Sequence, residues 1–183
     1  MASAESMASA AETVCSVGQM HLQDAIVTEC LCAVLQSLTM HGLYEEKDIE
    51  NATLLLINAL RFHPNHSGIV NHVFIAMVNL VRSSEKAALQ LLAPKEESVS
   101  CIMAARGHHP DDPEVTENFC HLLNQLVQQD AVAPELLAES VQEELEQIVK
   151  QFVSTKDITL LAQETLSKVM SLNNPEPTVK SEK

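Results

Sequence analysis

The chain has 183 residues, 46% hydrophobic but only 3% aromatic, and carries 25 acidic against 11 basic side chains for a net charge of −14. That length and apolar content are enough for one folded core and exclude general disorder. The acid excess argues against nucleic acid and anionic membrane surfaces, which are bound through cations. With four Gly, no Trp, and many Leu, Ala, Glu, Gln and Met, an all-α fold is expected over a strand-rich one.

Residues 1–18 are small and polar, with MASA written twice, and read as a flexible leader without a signal peptide's basic and apolar regions. Residues 21–40 place Leu22, Ile26, Cys30, Val34 and Leu38 at steps of four, an apolar helical stripe. After Gly42 and an acidic turn, Ile49, Thr53, Leu56, Ile57 and Leu60 mark a second helix that should stop at Phe62-His63-Pro64. Asn65 or Ser67 is the expected cap of the next helix, which carries Val70, Val73, Phe74, Met77 and Val81. Ser83 and Ser84 break it and begin a short helix through Leu92, which Pro94 ends. Residues 96–107 form another helix closing at Gly107. Asp112-Pro113-Glu114 is a helix start, with a capping carboxylate, a first-turn proline and an early acid. Val115, Phe119, Leu122, Leu123 and Leu126 form its stripe. Residues 134–153, read as one helix or two, point Leu137, Val141, Leu145, Ile148 and Phe152 inward. A last helix bears Leu161, Leu166 and Val169, and 173–183 read as a loose tail, so the folded domain is expected over 19–172.

Two segments match on a slide of 46 residues: FHPNHSGIVNHVFIAMVNLV from Phe62 and HHPDDPEVTENFCHLLNQLV from His108. A period of about 40–47 residues with two or three helices per unit is that of armadillo and HEAT arrays. Ala76-Met77-Val78-Asn79-Leu80 resembles the Ala-Leu-x-Asn-Leu ending of an armadillo third helix, and Leu122-Leu123-Asn124-Gln125-Leu126 is a shifted version of it. The resemblance implies a right-handed superhelix of three units, 44–82, 84–128 and 131–172, after a lone third helix at 20–40. An open end on that lone helix implies docking there, or a longer parent solenoid. The chain departs from the family in lacking the Gly between first and second helices and any Trp on a third helix. The HP turns are also similar to armadillo segments attached to some kinase-like proteins, although no Gly-rich loop or DFG triplet occurs.

The resemblance implies a non-enzymatic scaffold or adaptor that binds a peptide or helix along its third helices, with Asn79, Asn124 and Gln125 as backbone binders. Arg82 stands beside them, as Arg61 and Arg106 stand beside the other repeat junctions. A regulatory fragment of a kinase-like protein is the alternative. From Gly107 to Val149 there is no Lys or Arg among ten acids: Asp111, Asp112, Glu114, Glu117, Asp130, Glu135, Glu139, Glu143, Glu144 and Glu146. That run reads as a docking surface for a basic partner or as a solvated helix exterior. His63, His66, His72, His108 and His109 lack zinc-ligand spacing, and Cys30-x-Cys32 points two thiols to different helix faces. Cys120 and His121 diverge as neighbours on a helix, so no metal, cofactor or catalytic residue is expected. Five cysteines, an odd number mostly on apolar stretches, suit reduced thiols in the cytoplasm, with the nucleus left open. No window has the length of a membrane span.

Overall fold

A computed structural model describes residues 4–93, 97–129 and 138–173. Among these residues every regular element is helical: α1 Ala4–Met20, α2 Ala25–Met40, a 3-10 turn Glu46–Asp48, α3 Ile49–Phe62, α4 Ser67–Ser83, α5 Glu85–Leu91, α6 Ser98–Gly107, α7 Pro113–Leu126, α8 Glu139–Gln151 and α9 Lys156–Asn173. No helix of the described residues is long and apolar enough to cross a membrane. The expectations on Pro94, Leu137 and the tail beyond Asn173 fall outside the described residues.

The helices sort into two rows. In the first, α2 packs on α4, α4 on α7, and α7 on α9. Behind them α3 packs on α1, α5 and α6, while α8 packs on α9. One continuous core runs between the rows, filled by Leu35, Leu56, Phe74, Met77, Phe119 and Leu145, among others. Phe74 and Phe119 meet across the α4–α7 junction with ring centroids 6.2 Å apart in a tilted arrangement.

The 46-residue step seen in the sequence is also a burial step. Ile69, Val70, Val73, Phe74, Ala76, Met77, Leu80 and Val81 of α4 are all buried. So is each of their counterparts on α7: Val115, Thr116, Phe119, Cys120, Leu122, Leu123, Leu126 and Val127. Both helices therefore spend the same angular arc on the core, as a 3.6-residue period requires.

Three expectations need correction. The leader at 1–18 is helical from Ala4, with Ala11, Val14 and Cys15 buried. Small residues seat this helix: a Cβ added to Gly18 would lie 2.7 Å from the Leu55 methyls of α3. The initial helix is therefore not alone, because α1 packs beside it. On α2 the buried face is Thr28, Cys32, Leu35, Leu38 and Thr39, whereas Ile26, Cys30 and Val34 of the step-of-four stripe face solvent. The two buried threonines are tolerated because each hydroxyl donates to a backbone carbonyl, Thr39 to Gln36 at 2.9 Å and Thr28 to Leu22 at 3.4 Å. Finally, the cap of α4 is His66, whose Nδ1 accepts from the Ile69 amide at 3.4 Å, and not Asn65 or Ser67. Asp112 caps α7 as its sequence context demands, accepting from the amides of Glu114 and Val115 at 3.0 and 3.1 Å.

Candidate interaction surface

Each first-row helix is tied to the one before it through the turn that precedes it. His63 Nε2 donates to the Leu22 carbonyl at 2.6 Å, and His109 Nε2 donates to the Pro64 carbonyl at 3.1 Å. Gln151 Nε2 donates to the Pro110 carbonyl at 2.9 Å and to Asp111 Oδ1 at 2.7 Å. Three successive turns are thus joined by one kind of contact, a side-chain donor reaching a carbonyl 41 to 45 residues back. Of the histidines that invited a metal reading, His63 and His109 are held by these bonds and His72 by its Nδ1 donating to Gln36 Oε1 at 2.6 Å. Among the described residues no group of three His, Cys, Asp or Glu is placed to hold a metal ion.

On the side away from the core, the first row presents Gly68, His72, Ile75, Asn79 and Arg82 from α4. Forty-six residues on, α7 presents Glu114, Asn118, His121, Gln125 and Gln128, and none of the ten is buried. Polar side chains bridge the helices beneath this surface. Asn118 Nδ2 donates to Asn71 Oδ1 at 3.0 Å, Asn79 Nδ2 to Thr39 Oγ1 at 3.5 Å, and Lys168 Nζ to Asn124 Oδ1 at 2.8 Å.

The eight residues singled out in the sequence fall into three places. Asn79 and Arg82 lie together in an open cup of about 540 Å3 at the C-terminal ends of α2 and α4, lined also by Thr39, Met40, His41, Gly42 and Ser83. Tyr44, which the sequence reading passed over, braces one lining residue: its hydroxyl bonds Ser83 Oγ, which donates to the Asn79 carbonyl at 2.6 Å. Gly42 turns the chain here with a φ of 63°, a left-handed value that glycine adopts without strain. Asn124 and Gln125 lie near the C-terminal end of α7. Asn124 is buried, and its Oδ1 takes bonds from Lys168 and from Gln128 Nε2 at 3.3 Å, so its carbonyl oxygen is committed inside the fold. Gln125 is half-buried.

The acids form the third place, at the opposite end of α7. Asp112 is held as the cap and Asp111 by Gln151, while Glu114 and Glu117 are exposed. Glu117 Oε1 lies 3.9 Å from His121 Nε2. Of the remaining acids, Glu143 and Glu146 are exposed, but Glu144 is half-buried beside Arg106. Asp130 and Glu135 are outside the described residues, as is the side chain of Glu139.

Arg106 is the unexpected member of this region. Only 2% exposed, it donates from Nη1 to the His109 carbonyl and from Nη2 to the Pro110 carbonyl, both at 3.1 Å. Glu144 Oε1 stands 3.8 Å from its Nε, too far for a hydrogen bond, and that Nε has no bonding partner. Burial lowers its pKa, and the field of Glu144 opposes that shift. Beside it, burial pushes the Cys120 thiol up to about 12, with Arg106 acting in the opposite direction. Cys120 is thus a buried neutral thiol, while its neighbour His121 is exposed.

No family model matches the chain, and no solved structure matches it.

Proposed function

We propose that this chain is a non-enzymatic protein-interaction module of armadillo-like repeats, three units following an initial helix pair, wound as a right-handed superhelix. Its partner is an extended peptide carrying basic residues, laid across the outward side of α2, α4, α7 and α9. The observation that carries this reading is the repetition of one outward side at a 46-residue step, Asn79 and Arg82 recurring as Gln125 and Gln128 on a helix stacked alongside. A row of amides at helix-stack spacing suits a backbone, whose donors and acceptors recur regularly along an extended chain. Glu114 and Glu117, exposed toward the other end of α7, supply longer-range attraction for lysine or arginine side chains. The reading places no weight on Asn124, which its buried bonds occupy.

The test is selection of random linear peptides on the full chain, followed by titration of the enriched sequences. Lys- or Arg-containing peptides should emerge, weakened about tenfold or more by Glu114→Gln with Glu117→Gln, and separately by Asn79→Ala with Arg82→Ala. Enriched peptides that both double variants bind as tightly as the original would place the site elsewhere and defeat the reading.

A further inference from the structure

Aligned on their caps, Asp24, His66 and Asp112, the helices α2, α4 and α7 place equivalent residues at equivalent positions. Three positions turn toward the preceding helix of the row. On α4 they are Ile69, Val73 and Ala76, and on α7 they are Val115, Phe119 and Leu122; all six are 0% exposed. On α2 the same positions hold Val27, Leu31 and Val34, residues of the same core type. Here Val27 and Leu31 are only half-buried and Val34 is 45% exposed. Ile26, 76% exposed, and Cys30 extend the strip. Among the described residues α1 packs on α2 and Leu31 reaches the core, but Ile26, Cys30 and Val34 are left uncovered on a side whose sequence is that of a covered one.

Charge says what fits there. Between Ala25 and Met40 the only ionisable group besides the cysteines is Glu29, and its carboxylate is turned aside over Gly68 of α4. The strip therefore selects an uncharged apolar helix face and offers a basic or acidic partner nothing. The far end of the molecule presents Glu143 and Asp157 to solvent, together with the Lys150–Glu146 and Lys168–Glu164 pairs, so end-to-end stacking of copies would take these charged groups out of water. Two α2 strips meeting about a two-fold axis bury none, and they hold the acid-rich last repeats of the two copies farthest apart. We propose that the chain forms a two-fold dimer through α2, the Ile26–Cys30–Val34 strip of each copy covering that of the other. A 16-residue helix is about 24 Å long, so the contact is at the small end of specific interfaces and the dimer is reversible.

This inference is independent of the peptide reading, which uses the row's outward side. Sedimentation of the full chain under reducing conditions should show a concentration-dependent monomer–dimer equilibrium. Val34→Glu should abolish it, and Val153→Glu, an exposed apolar site elsewhere, should leave it intact. A measurement that needs no variant is the alkylation of Cys30 by iodoacetamide. It should slow severalfold as the protein is concentrated through the dimer range, because the partner strip shields the thiol. A chain that stays monomeric, a dimer that survives Val34→Glu, or a Cys30 rate indifferent to concentration overturns the proposal.

Discussion

The two HP turns differ by one residue, and that residue decides where a charge goes. In Arg61-Phe62-His63-Pro64 the arginine stands two places before the histidine; in Arg106-Gly107-His108-His109-Pro110 it stands three before its counterpart. Both turns keep the same kind of bond to the chain before them, His63 to Leu22 and His109 to Pro64. The extra residue rotates the arginine about 100° around the end of its helix. Arg61 is exposed and donates from Nη1 to Asn58 Oδ1 at 3.2 Å, whereas Arg106 is buried and closes its own turn from within. Two turns can therefore share one junction contact while one arginine faces solvent and the other is built into the structure.

The largest expected effect follows from that difference. Arg106→Ala removes two charge-assisted bonds to turn carbonyls and strands Glu144 against a cavity, a loss of about 3 kcal/mol in unfolding free energy. Arg61→Ala should cost no more than about 0.5 kcal/mol, since the group it removes is solvated. Urea unfolding of both variants checks the pair, and equal losses would mean the buried guanidinium contributes nothing special.

Alkaline pH should weaken the fold through its buried thiols. Cys15, Cys32 and Cys120 have thiols pushed from an ordinary 9.0 to about 12, by burial first and then by the nearby acids Asp48, Glu29 and Glu144 respectively. Between those values the unfolded chain releases thiol protons that the folded chain keeps. The unfolded state then binds fewer protons, and stability falls as pH rises. For Cys120 this is specific: the position 46 residues before it is Phe74, which has no proton to lose. Cys120→Ala should lower stability at neutral pH by the cost of a small cavity and flatten the decline between pH 9 and 12. An unchanged slope would mean the thiol titrates in the folded chain as it does in the unfolded one.

The turn histidines come next. His63→Ala and His109→Ala each remove one bond to a buried-side carbonyl and should cost about 1 kcal/mol apiece, the former somewhat more because its contact is shorter, 2.6 against 3.1 Å. These residues show how much of the molecule could be read beforehand. The positions of both turns and the buried arc of α4 and α7 were legible, because proline, capping residues and a 3.6 period act locally. The partners of the histidines were not, since a bond to a carbonyl about 40 residues back depends on how the helices stack. Arg106 was named as a junction residue, but its inward direction hangs on the single inserted residue. The α1 helix was missed because it packs through Ala11 and Gly18, whose small side chains leave little apolar periodicity to detect. The α2 stripe misled for another reason: a helix with one uncovered side carries core-type residues on two faces, and spacing alone does not say which is covered. Of the site residues, Asn79 and Arg82 do share a cup, but Asn124 and Asp112 are amide and carboxylate groups turned to internal use. Their residue types were equally compatible with a surface.

The smallest effect separates the caps of the two helices. Asp112 accepts from two amides at 3.0 and 3.1 Å, bears a full negative charge beside the positive end of α7, and is followed by Pro113, which already holds a helical φ. His66 offers one ring nitrogen to one amide at 3.4 Å and no negative charge to the N-terminal end of α4. Asp112→Ala should therefore lower stability by about 1 kcal/mol, and His66→Ala by a few tenths. Hydrogen exchange at the Ile69 and Val115 amides reads the two caps separately. Faster exchange at Ile69 than at Val115 is the expected order, and the reverse would mean that the stacking of α4 between α2 and α7, and not its cap, holds its first turn.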